Sequence, residues 1–310
     1  AYNLLLPTFF SLIAMGGFSI VWNLFQASRK NQIPNGMHSN LLAYMAAMSG
    51  AIGIAVLGNL GIVRMIFQGY QRLVAPEGII DGAPILTRWV WAIQGFWEVF
   101  TGGNLPYSLG DWYWIPSRAI PSPGDVEPIT EFPFFTVLYG DLHAHLMALP
   151  VTLLVITFVI GLVIGKTHWP GKFAGALWLG LAALATGALR PTNTWDFPPY
   201  LVLGVVAIIY TYSKHFSLAT NDSPASIAPK NANNILVFLY TLPPTTVRIL
   251  IAFLVSLAYL ILSFVIFQPY ADWYALGYTK INIWEGTHTP VTSYLTHWGL
   301  FLFLIVIWMF

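Results

Sequence analysis

Long stretches with hardly a polar side chain alternate along the chain with connections rich in Pro, Gly, Trp and charge. A helix needs about 20 mainly apolar residues to cross a bilayer core, and seven stretches are candidates: roughly 3–25, 41–63, 144–165, 173–189, 199–212, 246–267 and 298 onward. The fourth and fifth are short. Between them "RPTNTWDFPP" (190–199) reads either as the break of a hairpin or as two helices joined within the interface. Gly50, Gly53, Gly58 and Gly61 in the second stretch are small residues that let helices approach closely in lipid. The predicted fold class is all-α, an integral membrane protein of about seven transmembrane helices within a single polytopic domain over 1–310.

One apolar pattern has a different period. In "ILTRWVWAIQGFWEVF" (85–100), Leu86, Trp89, Ile93, Phe96, Trp97 and Phe100 recur at close to 3.6 residues, which predicts an amphipathic helix lying along the interface with its aromatics at headgroup depth. It sits in a long loop, 64–143. The loop ends in "GDWYWIPSRAIPSPGDVEPITEFPFF" (110–135), too rich in Pro for a helix or a central strand and expected to be an ordered loop packed by its aromatics. The one linker-like stretch, "NDSPASIAPKNANN" (221–234), falls in the 213–245 loop.

Charge then orients the spans. Counting connections alternately, Arg29, Lys30, Lys166, Lys172, Lys214, Lys230 and Arg248 share one side with a single acid, Asp222, while the other acids gather on the opposite side. The positive-inside rule makes the Lys-rich side cytoplasmic. The 64–143 loop, the 190–199 turn and the 268–297 loop then share the outer face of a plasma membrane. Charged residues make up 8% of the chain and hydrophobic ones 57%, against about 25% charged in a soluble domain. A net charge of +1 gives no footprint for nucleic acid, and the absence of cysteine excludes disulfides and thiolate sites. The chain opens at Ala1 without an initiating Met and stops inside an apolar run, as expected of a piece of a longer protein.

Where ionisable groups are this scarce, their clusters are functional candidates. "EFPFFTVLYGDLHAHLMALP" (131–150) places Glu131, Asp141, His143 and His145 at the mouth of a span. On an extended backbone Asp141, His143 and His145 share a face and could meet one ion or one phosphate; on a helix only Asp141 and His145 are neighbours, and Asp141 after Gly140 reads as an N-cap. Imidazole and carboxylate suit a divalent metal, Zn²⁺, Mn²⁺ or Mg²⁺. "DLHAH" also matches the metal motif of amidohydrolase barrels, but here it leads into an apolar span with no barrel strands after it. A second cluster, "LRPTNTWDFPPY" (189–200), offers Arg190, Asn193, Trp195 and Asp196: an Arg can hold phosphate bidentately and a Trp can stack on a sugar, or Arg190 pairs with Asp196 and Trp195 anchors the interface. A third holds Asp272, Lys280, Glu285 and His288 in an aromatic loop.

"TEFPFFTVLYGDLHAHLMALP" (130–150), "NTWDFPPYL" (193–201) and "AYNLLLPTFFSL" (1–12) resemble the YYY membrane-protein family of Chloroflexi and archaea, across most of the chain. That family looks like membrane glycosyltransferases of the GT-C type, which use a polyprenyl-phosphate sugar on the outer face. Its Tyr run and acidic first outer loop stand upstream of what this chain contains. The resemblance implies a transferase in which Asp141 is base or metal ligand, His143 and His145 bind metal or phosphate, and Glu131 orients a histidine. Arg190 or Arg118 would stabilise the leaving phosphate, and Trp112, Trp114 and Trp195 would stack on sugar, with membrane lipid as the surrounding partner. Two other classes stay open: a non-catalytic accessory subunit packing its aromatic loops on protein partners, and a transporter built on the short spans around 190–199.

Overall fold

In the computed structural model the described residues are 2–29, 37–120, 128–165, 172–216, 239, 241–274, 283 and 285–309. They form helices and connecting turns, with no strand among them. The α-helices are α1 (Tyr2–Arg29), α2 (Met37–Ala55), α3 (Gly61–Val74), α4 (Ile85–Phe100), α5 (Asp111–Trp114), α6 (Pro133–Tyr139), α7 (Ala144–Gly165), α8 (Lys172–Thr192), α9 (Phe197–His215), α10 (Pro244–Val265), α11 (Gln268–Trp273) and α12 (Val291–Met309), with 3-10 turns at Pro76–Gly78 and Ile115–Arg118. Four helices are long and apolar enough to cross a membrane, over Tyr2–Arg29, Ala144–Gly165, Phe173–Thr192 and Pro244–Val265, and Asn40–Ala55 and Val291–Ile307 are shorter apolar helices. The chain folds as two compact units, one of Ala1–Ile54 with Leu142–Lys280 and one of Ala55–Asp141 with Ile281–Phe310.

The first unit is a bundle in which small residues set the helix spacing. Gly17 of α1 faces the Gly50 carbonyl of α2, and a methyl group at Gly16 would run into Leu153 of α7. Ala182, Ala183 and Ala185 of α8 are buried against α7, α9 and α10. Tyr259 of α10 fits because Gly204 of α9 leaves room for its ring, and its hydroxyl shares a 2.6 Å hydrogen bond with Thr186 of α8. In lipid the hydrophobic effect gives helices no preference for each other, so close backbone approach and buried hydroxyl pairs carry the association.

In the second unit α3 and α4 pack together through Gly95, whose missing side chain admits the Tyr70 backbone, and through edge-on pairs Phe67–Trp89 and Tyr70–Phe96. The predicted 85–100 helix is therefore present as α4. Its Ala92 and Gly95 face inward while Leu86, Trp89, Ile93, Trp97 and Phe100 stay exposed. Such a face would be unstable in water and is suited to lipid.

Three expectations need correction. The apolar run 41–63 is not one helix: it breaks over 56–60, where the Asn59 side chain accepts the Gly61 N–H at the start of α3. The Pro-rich 110–135 segment is not wholly irregular, because Pro116 and Pro133 stand in first turns, where a missing N–H costs nothing; residues 121–127 within it lie outside the described set. The run predicted from 298 onward begins earlier, at Val291. The 221–234 linker also lies outside the described residues, as does most of the 213–245 loop.

Candidate functional site

Short-range backbone geometry fixes the start of "DLHAH". Helix α6 ends on Gly140 at φ 75°, a left-handed conformation that suits glycine. The Gly140 N–H donates to the Val137 carbonyl (3.2 Å) and the Asp141 N–H to the Thr136 carbonyl (3.1 Å), which is a Schellman motif. Asp141 thus closes the helix before it and is not the N-cap of the next one, as the sequence suggested; α7 begins at Ala144, with the His143 carbonyl accepting the Met147 N–H.

His143 and His145 belong to the first unit and stand side by side, ring centroids 5.4 Å apart and inclined by 64°. Of the two backbone readings left open by the sequence, the helical one does not apply at His143, which precedes the first turn of α7. Two imidazoles at this spacing can donate to one divalent ion, and that chemistry fits Zn²⁺ or Mn²⁺ when a carboxylate completes the set. Glu131 and Asp141 are exposed residues of the second unit.

The second unit contains a cavity of about 240 Å³ lined by Gly61, Arg64, Met65, Gln68, Trp114, Ile115, Arg118, Ala119 and Thr296. Among the described residues two guanidiniums, an amide and a hydroxyl line it, and the N-terminal end of α3 adds its partial positive charge. Arg118 lies 4.0 Å above the Trp114 ring, and its Nη1 donates to Ser117 Oγ (2.7 Å), which itself donates to the Trp114 carbonyl (2.6 Å). A guanidinium over an indole face keeps its N–H edge available to phosphate oxygens.

The turn that carries Arg118 is braced from two directions. The Thr130 N–H donates to the Ser117 carbonyl (2.7 Å), and the Ala119 N–H donates to Thr130 Oγ1 (3.2 Å). Asn59 Nδ2 donates to the Pro116 carbonyl (2.9 Å). Further along, the Tyr107 hydroxyl donates to the Met65 carbonyl (2.7 Å), and burial raises its pKa above the ordinary phenol range. Asp111 accepts from the Ser108 N–H and hydroxyl (2.7 and 2.8 Å), and these bonds hold its carboxyl below the usual carboxylate range.

Trp114 is therefore a platform for Arg118, with Phe135 and Tyr139 near its ring; Trp112 sits by Tyr107, outside the cavity lining. In the first unit Arg190 donates to the Phe264 carbonyl (3.0 Å) and rests near the Phe197 and Phe264 rings, while Asn193 donates to Asp196 (2.9 Å). Arg190 thus bonds across to α10, and the turn at 193–196 is closed by its own side chains. Trp195 is two-thirds exposed at the tip of that turn. In the third cluster Asp272 accepts from Gln268 (2.7 Å), and Lys280 lies outside the described residues.

Sequence reasoning missed Arg64 and Gln68, which looked like loop positions. The signal was present: "NLGIVRMIFQ" (59–68) has an Asn–x–Gly break followed by polar side chains one turn apart, the pattern of a capped helix presenting one face.

A model of the DUF2298 family, described as an uncharacterized membrane protein, matches residues 1–310. No curated protein and no solved structure matches the chain.

Proposed function

The chain belongs to that family of uncharacterised membrane proteins, and we propose that it transfers a sugar from a polyprenyl-phosphate donor to an acceptor hydroxyl at the outer face of the plasma membrane. The observation that carries the reading is the cavity with Arg64, Arg118, Gln68 and Thr296 among its described lining residues. In an inverting transfer the acceptor O–H gives its proton to a base as its oxygen bonds to the anomeric carbon. The bond from that carbon to the phosphate oxygen breaks, and the electron pair leaves with the phosphate. Two guanidiniums stabilise the leaving charge, a role in which electrostatic preorganisation is the largest effect.

Asp141 is the proposed base, and His143 with His145 the proposed divalent-metal or phosphate ligands; a metal held there would polarise a phosphate or hydroxyl oxygen. Seven spans, with the 64–143, 190–199 and 268–297 loops on one face, belong to the same reading. A lipid-borne donor reaches such a face by diffusing within the leaflet.

The test is turnover of a radiolabelled polyprenyl-phosphate hexose by the full chain in nanodiscs. The wild type should release polyprenyl phosphate. Asp141→Asn should abolish release while leaving donor binding intact, and Arg118→Ala should weaken binding. A wild type that neither binds nor consumes any such donor contradicts the reading.

A further inference from the structure

The two arginines of the cavity come from separate elements of the second unit, Arg64 from the first turn of α3 and Arg118 from the Ile115–Arg118 turn. One side chain connects both elements. Asn59, only 6% exposed, accepts the Gly61 N–H at Oδ1 (2.8 Å) and donates from Nδ2 to the Pro116 carbonyl (2.9 Å). A backbone N–H can only donate and a carbonyl can only accept, so these two partners fix which end of the amide is oxygen. The remaining Nδ2 hydrogen then meets His297 Nδ1 of α12 at 3.3 Å. His297 must accept there, which leaves its ring proton on Nε2. The next residue back, Thr296, lines the cavity, and its carbonyl accepts the Leu60 N–H (2.8 Å).

Gly61 shows how tightly this junction is drawn. A methyl group there would lie 2.5 Å from Asn59 Oδ1 and 3.1 Å from the Pro116 Cα. The α3 start, the Arg118 turn and α12 are thus joined through one amide with no slack.

We infer that Asn59 is the positioning residue of a phosphate site formed by Arg64 and Arg118, and that it does this with His297 locked as the neutral Nε2–H tautomer. The inference rests on the cavity being a phosphate site, as in the proposed function. Its ligand chemistry is a phosphate monoester or inorganic phosphate. Aspartate at position 59 keeps an oxygen for Gly61 but turns an acceptor toward the Pro116 carbonyl and toward His297. It should therefore push the Arg118 turn away and move the His297 proton to Nδ1.

The experiment uses the full chain in phosphatidylcholine nanodiscs. Inorganic phosphate is titrated in one arm, and phosphatidic acid is doped into the bilayer in the other; a response in the second arm alone identifies a lipid headgroup as the source. Asn59→Asp should weaken phosphate binding about tenfold, the scale of one lost buried hydrogen bond. Nitrogen NMR of the histidine rings should show His297 switching tautomer, a change that a loss of stability alone does not produce. Gly61→Ala, which displaces the amide without changing its chemistry, should weaken binding in the same direction, and His297→Gln, which can offer an acceptor oxygen in place of Nδ1, should retain it. Wild-type binding that Asn59→Asp and Gly61→Ala leave unchanged, or an unmoved His297 tautomer in Asn59→Asp, overturns the inference alone. No wild-type binding in either arm overturns the phosphate reading and the inference with it.

Discussion

In the proposed phosphate site the position of Arg118 is set by its neighbours. Trp114 supplies the face and Ser117 fixes one end of the fork. Lysine keeps the charge but offers no planar fork to stack, so Arg118→Lys should bind phosphate nearly as poorly as Arg118→Ala, each about tenfold weaker or more, measured by titration of the purified chain. Asp111 makes a separate, pH-dependent contribution. Its carboxyl is lowered by the Ser108 bonds, so their stabilisation is present above the unfolded carboxylate pKa and fades as pH falls through the lower folded value. Hydrogen exchange at Ser108 should accelerate on acidification across that window in the wild type, and be fast and pH-insensitive there, apart from intrinsic exchange, in Asp111→Ala. The sequence exposed Arg118 and Trp114 as candidates through their rarity and company. It did not expose their stacking on one another, which depends on the 3-10 turn.

Helix ends decided where the sequence was legible. Long apolar runs with nothing to stop them, 3–25, 144–165 and 246–267, appear as α1, α7 and α10 nearly as expected. The 41–63 run misled because Gly58 and Gly61 fit helix packing in lipid as well as they fit a break; the choice between the two is made by Asn59 and its distant partner Pro116. Gly140 likewise ends α6 through a left-handed turn that no apolar pattern announces. Gly140→Ala should cost about 1 kcal/mol and shift the 141–143 backbone, detectable as a lower Tm and as altered histidine NMR signals. At Gly204 the space is filled by the Tyr259 ring. Gly204→Ala should therefore destabilise by about 1–3 kcal/mol through overpacking, read from thermal unfolding in detergent, and Tyr259→Phe by about 1 kcal/mol through loss of the Thr186 bond.

For the molecule as a whole, composition alone was enough to place it in a membrane, because four helices meet the length and apolarity needed to cross one and the family is one of membrane proteins. The sidedness of its loops rests on charge counting, so reporter fusions at residues 120 and 225 should report opposite faces. The proposed site was half legible: "DLHAH" and Arg118 stood out by type, whereas Arg64 and Asn59 acquire meaning only when α3, the Arg118 turn and α12 meet. The central claim is that this meeting point holds the phosphate of a lipid-linked substrate. It is tested most directly by mass spectrometry of lipids retained by the purified full chain, wild type against the Arg64→Ala, Arg118→Ala double variant. The account predicts polyprenyl phosphate or its glycosylated form enriched on the wild type and lost from a double variant that still folds. Equal retention by both, or no phosphate-bearing polyprenyl lipid on the wild type, contradicts it.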